Sequence, residues 1–394
     1  MRLWSCAEGT TKPRLFMHVT VSKKDLSRVL ARCQGVADKK STMPVLGNVL
    51  LEASQGGLRL SATDLVLAVT GEVAADVTKP GTVAVGAKDL YERVRMMPEG
   101  QLVIEVSDGS ATTIRSLTTA RRYTIHGVPG EEFPSLPRPE KGEPLELDAA
   151  VVSRLISSTH FSISTDETRL HLSSALLELE KNRLRMVTTD GHRLSKMEIR
   201  AAEVKTTGSM LIPLKGIMEL RRLCDEAVAE ASAETVPKIR LIESGPNVFA
   251  ELAGFRFSVK LVDAQFPPYQ QVIPAQSEHV VRAPRTFLAD ALKAVSLAAS
   301  DRTGGVKITL SEGLLRVESE SPEAGEGFDE LAVDHRGPTL TIGLNARYFL
   351  DVLGAITDDE VILGISGELD PAVIRPGGDA SDRDYLAVVM PMRI

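Results

Sequence analysis

Aromatic side chains make up only 4% of the 394 residues, with a single tryptophan, Trp4. A packed core must therefore rest on Leu, Val, Ile and Ala rather than on stacked rings. Cysteine is scarce too. Cys6, Cys33 and Cys224 are odd in number and far apart, which argues against a disulfide framework, and no CxxC pair supplies half of a structural zinc site. Such usage fits a reducing compartment, and the cytoplasm is the expected location. No run approaches the ~18 uninterrupted apolar residues of a membrane span, so no membrane partner is expected. The seven histidines, His18, His126, His160, His171, His192, His279 and His335, contain no HxxxH or HExxH pair. A GxSxG elbow, a dinucleotide fingerprint and a GxxxxGK[ST] loop are all missing. Neither metal nor cofactor is expected, and no catalytic signature stands out.

What is present is ordinary globular material, 43% apolar and 25% charged. The length exceeds what one core supports and points to two or three domains. The first sixteen residues, MRLWSCAEGTTKPRLF, lack the apolar run of a secretory leader, and regular strand alternation opens only at Met17. Residues 1–16 read as an N-terminal extension outside the fold.

From Met17 onward one pattern occurs three times. Each copy opens with an amphipathic helical stretch: residues 23–33, 149–161 and 284–298. In the first, Leu26, Val29, Leu30 and Cys33 fall at i, i+3, i+4 and i+7, which places them on one helix stripe. A hairpin pattern follows at 49–63, 175–189 and 306–320, with Gly or Asn at the turn. Next comes a strand running into a second helix, at 83–97, 210–224 and 340–354. Lys88, Lys215 and Asn345 read as equivalent positions there, 127 and 130 residues apart. Proline-rich passages, GEEFPSLP at 130–137 and DAQFPPYQQVIP at 263–274, stop the closing strands and stiffen the linkers. The expected domains are 17–140, 141–276 and 277–394, each two helices against antiparallel strands. The class is α+β. Antiparallel sheets of this size expose edges, which tandem units can pair with one another, and a head-to-tail series of units closes into a ring when the rotation allows.

Charge is unevenly distributed along this pattern. The chain carries −7 overall, whereas the helical segments 23–34, 88–95, 151–160, 215–225, 284–293 and 345–353 carry +3, +1, +1, +1, +1 and 0. If the helices share one face, that face alone attracts phosphate, without base reading and therefore without sequence preference.

Four segments carry a more specific signal: MPVLGNVLLE (43–52), TTDGHRLS (188–195), KLVDAQFPPY (260–269) and VVMPMRI (388–394). Together with the three repeats they resemble the bacterial beta sliding clamp family, the processivity subunits of replicative DNA polymerase, over Met17 to Ile394. The resemblance implies a head-to-tail homodimeric ring around duplex DNA, placed there by a clamp loader, with helices inside and sheets outside. It implies a pocket for short peptide motifs, a Gln followed by apolar residues, from the polymerase and from repair or replication factors. The matching positions are Leu172, Thr189, Gly191, His192, Arg193, Leu194, Pro267, Val272, Val388, Val389, Met390, Pro391, Met392 and Arg393. Pliable Met side chains suit varied apolar anchors, and Arg193 and Arg393 are expected to hold backbone or carboxylate groups. Gln271 stands where relatives carry arginine and Thr303 where some carry an aromatic, so the polar side of the pocket departs from the family. For DNA the resemblance marks Lys40, Lys88, Arg95 and Lys215, then Arg121 and Arg122. For ring closure it sets Tyr123 and Ile125 against Leu297 and Ala298.

Two other readings stand beside the clamp. A repeat scaffold for protein partners needs no DNA, and a hydrolase centred on His192 would use the neighbouring Asp190 for acid-base work. Asp190-Gly191 after a strand is equally an ordinary turn.

Overall fold

The computed structural model of the protein describes residues 16–107, 110–140, 142–232, 234–300, 304–378 and 383–394. Nearly all of the expected extension, residues 1–15, and also Thr303 lie outside the described residues.

The first repeat runs β1 (Met17–Ser22), α1 (Lys23–Val36), β2 (Asn48–Ser54), β3 (Gly57–Thr63), β4 (Leu67–Val73), β5 (Ala75–Lys79), β6 (Gly81–Gly86), α2 (Ala87–Arg95), β7 (Gln101–Val106), β8 (Ala111–Ser116), β9 (Arg122–His126) and the two-residue β10 (Val128–Pro129). Strand β1 buries Met17, Val19 and Val21 and leaves the alternate residues partly exposed, as a half-buried strand must. Helix α1 buries the stripe Leu26, Val29, Leu30 and Cys33, continued by Val36. Burial pushes the Cys33 thiol up to about 12, so it behaves as a small apolar core residue.

The second repeat follows the same order: β11 (Leu145–Asp148), α3 (Ala149–Ser157), β12 (Ser174–Glu180), β13 (Arg183–Thr189), β14 (Arg193–Arg200), β15 (Gly208–Pro213), α4 (Leu214–Glu230), β16 (Lys238–Ser244), β17 (Asn247–Leu252) and β18 (Phe255–Lys260). Helix α3 stops short of the expected Phe161. Thr159 turns its hydroxyl back onto the Leu155 carbonyl at 2.8 Å, and a single 3₁₀ turn, His160–Ser162, takes over. Helix α4 instead runs longer than expected, because Ala and Glu continue the helical preference to Glu230.

The third repeat comprises β19 (His279–Pro284), α5 (Arg285–Val295), β20 (Gly305–Ser311), β21 (Leu314–Ser321), β22 (Gly325–Ala332), β23 (Leu340–Asn345), α6 (Ala346–Ala355), β24 (Glu360–Ile365), β25 (Ala372–Pro376) and β26 (Arg383–Val389). At the hairpins β12–β13 and β20–β21 the turn residues Asn182 and Gly313 take φ of 63° and 71°, the backbone such two-residue turns require.

The chain divides into two compact bodies: residues to Glu143 together with Ile242–Lys260, and Pro144–Leu241 together with Leu261–Ile394. The repeats are three but the bodies are two, and strand pairing explains the difference. In the first body, β18 of the second repeat pairs antiparallel with β4 of the first, Phe257 opposite Val69, and the hairpin β17–β18 goes with it. That body also holds a five-stranded sheet in the order β5-β1-β7-β8-β9. In the second body, β14 pairs with β26 from Arg193↔Val389 to Ile199↔Arg383, fusing two repeats into one eight-stranded sheet, β15-β12-β13-β14-β26-β25-β24-β19. A four-stranded sheet, β22-β21-β20-β23, completes it.

Phe257 is fully buried in the strand that joins the first two repeats. Phe257→Ala is expected to lower the unfolding free energy by about 3–5 kcal/mol in urea titrations. A loss below about 1 kcal/mol would mean that this seam contributes little.

Candidate functional site

Strand β14 begins directly after a turn that hydrogen bonds build. Asp190 Oδ1 accepts the backbone N–H groups of His192 (2.9 Å) and Arg193 (3.0 Å). Thr189 Oγ1 accepts from the Gly191 N–H at 3.1 Å and donates to the Arg193 carbonyl at 2.7 Å. Gly191 sits at φ +92°, where a side chain is strained. Asp190 thus faces its own backbone, while His192 stacks on Tyr348 of α6 with ring centroids 6.4 Å apart. The Asp-His couple that a hydrolase would need is not assembled. The first repeat repeats this turn bond for bond. Asp64 Oδ1 takes the N–H groups of Val66 and Leu67, and Thr63 Oγ1 bonds Leu65 N and the Leu67 carbonyl.

Beside the second-repeat turn opens a cavity of about 280 Å³. Its wall brings together Leu172, Thr189, Gly191, Arg193, Leu194, Pro267, Val272, Val388 and Met390 from four separate stretches of sequence. Leu172, Leu194 and Val388 are buried and form an apolar floor. The expected residues His192, Val389, Pro391, Met392 and Arg393 do not line it. Side chains alternate along β26 and its continuation, so Val388 and Met390 face the cavity while Val389 is buried on the other side. Beyond Met390, whose N–H donates to the His192 carbonyl at 2.8 Å, the tail leaves the cavity. The Met392 N–H donates to Gly343 of β23 at 2.8 Å, and Ile394 packs over Gly305 and Gly343.

His171, Pro268, Tyr269 and Gln271 complete the wall. The sequence names Gln271 only as a departure and gives Tyr269 no role of its own. Tyr269 is buried, and its hydroxyl donates to Glu178 at 2.7 Å. Burial, then that carboxylate, push its phenol up to about 12. Glu178 in turn accepts from Arg185 at 2.9 Å, and Arg185 bonds Glu198 at 2.8 Å. The ring is therefore a fixed wall between two hollows, since Pro267, Pro268 and Tyr269 also line a second cavity of about 670 Å³.

The Arg193 guanidinium is already engaged within the protein: Nε donates to Asp190 at 3.0 Å, Nη1 to Asp351 of α6 at 2.6 Å and Nη2 to the Phe161 carbonyl. The Tyr348 ring lies 4.4 Å from it. Next to Phe161, His160 Nδ1 donates to the Ile156 carbonyl at 3.0 Å while Nε2 accepts from Arg221 at 3.1 Å. Burial, reinforced by Arg221, holds this imidazole below its ordinary value against the opposing pull of the Ile156 carbonyl.

Comparison with known proteins decides what this arrangement belongs to. Family models of the DNA polymerase III beta subunit match end to end: the N-terminal domain over residues 17–137, the central domain over 146–268 and the C-terminal domain over 270–393. The chain is a member of the beta sliding clamp family. It is 31% identical over 380 residues to the beta sliding clamp of Pseudomonas putida, covering 96% of this chain and all of that one. It is 30% identical over 379 residues to that of Escherichia coli strain K12, with the same coverage. Among solved structures, the DNA polymerase III subunit beta of Pseudomonas aeruginosa superposes with a TM-score of 0.88 at 30% identity. A Pseudomonas aeruginosa sliding clamp bound to griselimycin gives 0.87 at 30% identity; each covers 96% of this chain and all of its own.

The clamp is thus three tandem clamp domains and a non-catalytic processivity factor of DNA polymerase III. No helix among its described residues is long and apolar enough to cross a membrane. Lys40, Lys88, Arg95, Arg121, Arg122 and Lys215 are all exposed. Arg121 also donates to the Met96 carbonyl at the end of α2. Strand register corrects one equivalence. Gly86, Pro213 and Asn345 face the first residues of β2, β12 and β20. Two residues on, Lys88, Lys215 and Arg347 are therefore the counterparts, and Asn345 is instead the N-cap of α6, accepting from Arg347 N and Tyr348 N. Arg347 is exposed. The full length of α4 also takes in Glu226 and Glu230, which turns that helix from net positive to net negative. Of the closure positions, Leu297 is 81% exposed, whereas Ala298 is buried within its own repeat, against the β22 backbone at Gly327.

Because His160 is held neutral, the unfolded chain binds a proton more readily than the folded one below the ordinary imidazole value of 6.5. Stability contributed at this site is complete above that pH and falls as the pH drops through it. His160→Gln is expected to flatten the decline of the thermal midpoint between pH 7 and pH 5. An unchanged decline would place its origin elsewhere.

Proposed function

We propose that this clamp closes as a head-to-tail homodimer around duplex DNA in the cytoplasm and tethers the polymerase and other DNA-processing proteins by their short peptide motifs. The observation that carries the ring is the use of one strand pair at each internal junction. Strand β4 takes β18, and β14 takes β26. The next pair in the series is β22 with β9, and within the chain each of these is a sheet edge. A second copy supplies the missing partner in both directions, which closes two chains into a ring with the fourth strand of every repeat paired across a junction.

Side chains support this pairing. The outward residues of β9 include Arg122 and His126, and those of β22 include Glu326, Phe328 and Glu330. Opposite charge across such a seam favours the correct partner. Phe328 and Leu297 are 64% and 81% exposed, large apolar groups that a second copy would cover.

For DNA, the second helix of every repeat carries a cation in its first turn, Lys88, Lys215 and Arg347. The helix macrodipole disfavours positive charge there. Lys88 recovers part of that through an exposed ion pair with Glu92 at 3.6 Å; the recurrence of a cation at the same place in all three repeats is what favours an external phosphate as the reason for it. Such contacts hold any sequence and let the ring slide. The apolar cavity bounded by Leu172, Leu194, Val388 and Met390 is the proposed seat of the peptide anchors, with Leu, Val and Met able to adapt to several partners. A scaffold that never encloses DNA gives no reason for a cation at this one place in all three repeats.

Sizing with light scattering is expected to give a dimer for the wild type and a monomer for Leu297→Arg combined with Phe328→Arg. Loaded onto nicked circular DNA, the wild type should be retained and should leave on linearisation; ready loss from intact circles at moderate salt would overturn the ring. Met390→Asp should weaken polymerase-peptide binding at least tenfold while the dimer persists, since burying an unpaired carboxylate costs more than one such contact contributes. It is a cleaner test than removing residues 390–394, which would also strip the contacts of Met392 and Ile394 from β23.

A further inference from the structure

The arginine in the cavity wall is held from outside the cavity. Asp351, on α6, takes Arg193 Nη1 at 2.6 Å while Asp190 takes Nε at 3.0 Å. Two carboxylates on one guanidinium leave these three side chains with a net charge of −1. Tyr348, three residues before Asp351 on the same helix face, lies beneath the guanidinium at 4.4 Å, so α6 grips Arg193 through charge and ring together. Arg193 is only 10% exposed, and its N–H groups are turned into the protein. A peptide entering the cavity therefore meets apolar carbon and neutral polar groups, with the nearest ionic cluster carrying excess negative charge.

We infer that Asp351 is a specificity-determining residue of the peptide pocket: by drawing Arg193 away it makes the cavity accept uncharged apolar segments and discriminate against acidic ones. The inference rests on the pocket reading above. Asp351 acts through Arg193, so it is a positioning residue rather than a contact. Without its carboxylate, Arg193 keeps Asp190 but regains one N–H edge, and the three-residue cluster becomes neutral. Both changes act in the same direction, toward an acidic ligand.

The test uses the full-length protein and two fluorescein-labelled pentapeptides, Gln-Leu-Leu-Leu-Phe as its C-terminal amide and the same peptide with a free carboxylate, titrated by fluorescence anisotropy. In the wild type the amide should bind more tightly. Asp351→Asn should move the ratio of the two affinities toward the free carboxylate by roughly five- to tenfold, and Asp351→Glu should keep the wild-type ratio. Arg193→Gln in the Asp351→Asn background should cancel the shift, which a general loosening of the pocket would not do. Asp351→Ser serves in its place if Asp351→Asn does not fold. An unchanged ratio in a variant that still binds overturns this inference alone. Failure of the wild type to bind either peptide overturns the pocket reading, and this inference with it.

Discussion

Backbone pairing between successive repeats is the constraint on which the rest of the structure depends. An antiparallel sheet that ends in solvent offers unsatisfied N–H and C=O groups to any neighbour. Here each internal junction uses the fourth strand of one repeat and the last strand of the next, β4 with β18 and β14 with β26. Because the junction is continuous sheet rather than a flexible hinge, the residues at its end hold fixed positions. Strands β9 and β22 remain as open ends of the same kind, and the proposed dimer follows from the rule that satisfies the other two.

The cavity beside Gly191 is a by-product of that rule. Where β14 starts and β26 stops, the Thr189-Asp190 turn, the tail beyond Val389 and the linker around Pro267 converge on one hollow. The first repeat builds an identical set of hydrogen bonds at Thr63-Asp64, yet places Leu65 at φ +74°, 54% exposed, where the second has Gly191. Two turns with the same backbone bonds therefore differ in what they present: Leu65, Val66 and Leu67 in the first against Gly191, His192 and Arg193 in the second, with open space above Gly191.

Much of this was legible in sequence because period and spacing carry it. The stripe Leu26, Val29, Leu30, Cys33 is buried as its spacing requires, and three of the four family-like segments, 188–195, 260–269 and 388–394, supply most of the cavity wall. What escaped was direction and register. The family resemblance names Arg193, which lies in the cavity wall, but says nothing of Asp351, 158 positions away, which binds its guanidinium. Val389 sits between two cavity residues, and only strand alternation tells it apart from them. Asn345 was matched to Lys88 and Lys215 by letter spacing, whereas hydrogen-bond register moves the match to Arg347. Tyr269 was visible as a residue within a motif, but its role as a wall depends on Glu178 and Arg185, which are distant in sequence.

The position of β26 has a consequence for how the second body comes into being. This strand is the last of all in chain order, yet it lies in the interior of the eight-stranded sheet, between β14 and β25. Chain synthesis delivers β15, β12, β13 and β14 well before the strand that β14 must pair with. Until then β14 is an open edge on a nascent chain, and contacts of such long sequence separation form slowly. The cavity floor at Val388 and its wall at Met390 arrive at the same moment as the pairing. A nascent chain that has not yet exposed these residues accordingly lacks that part of the cavity, so the hollow takes shape only when β26 pairs with β14.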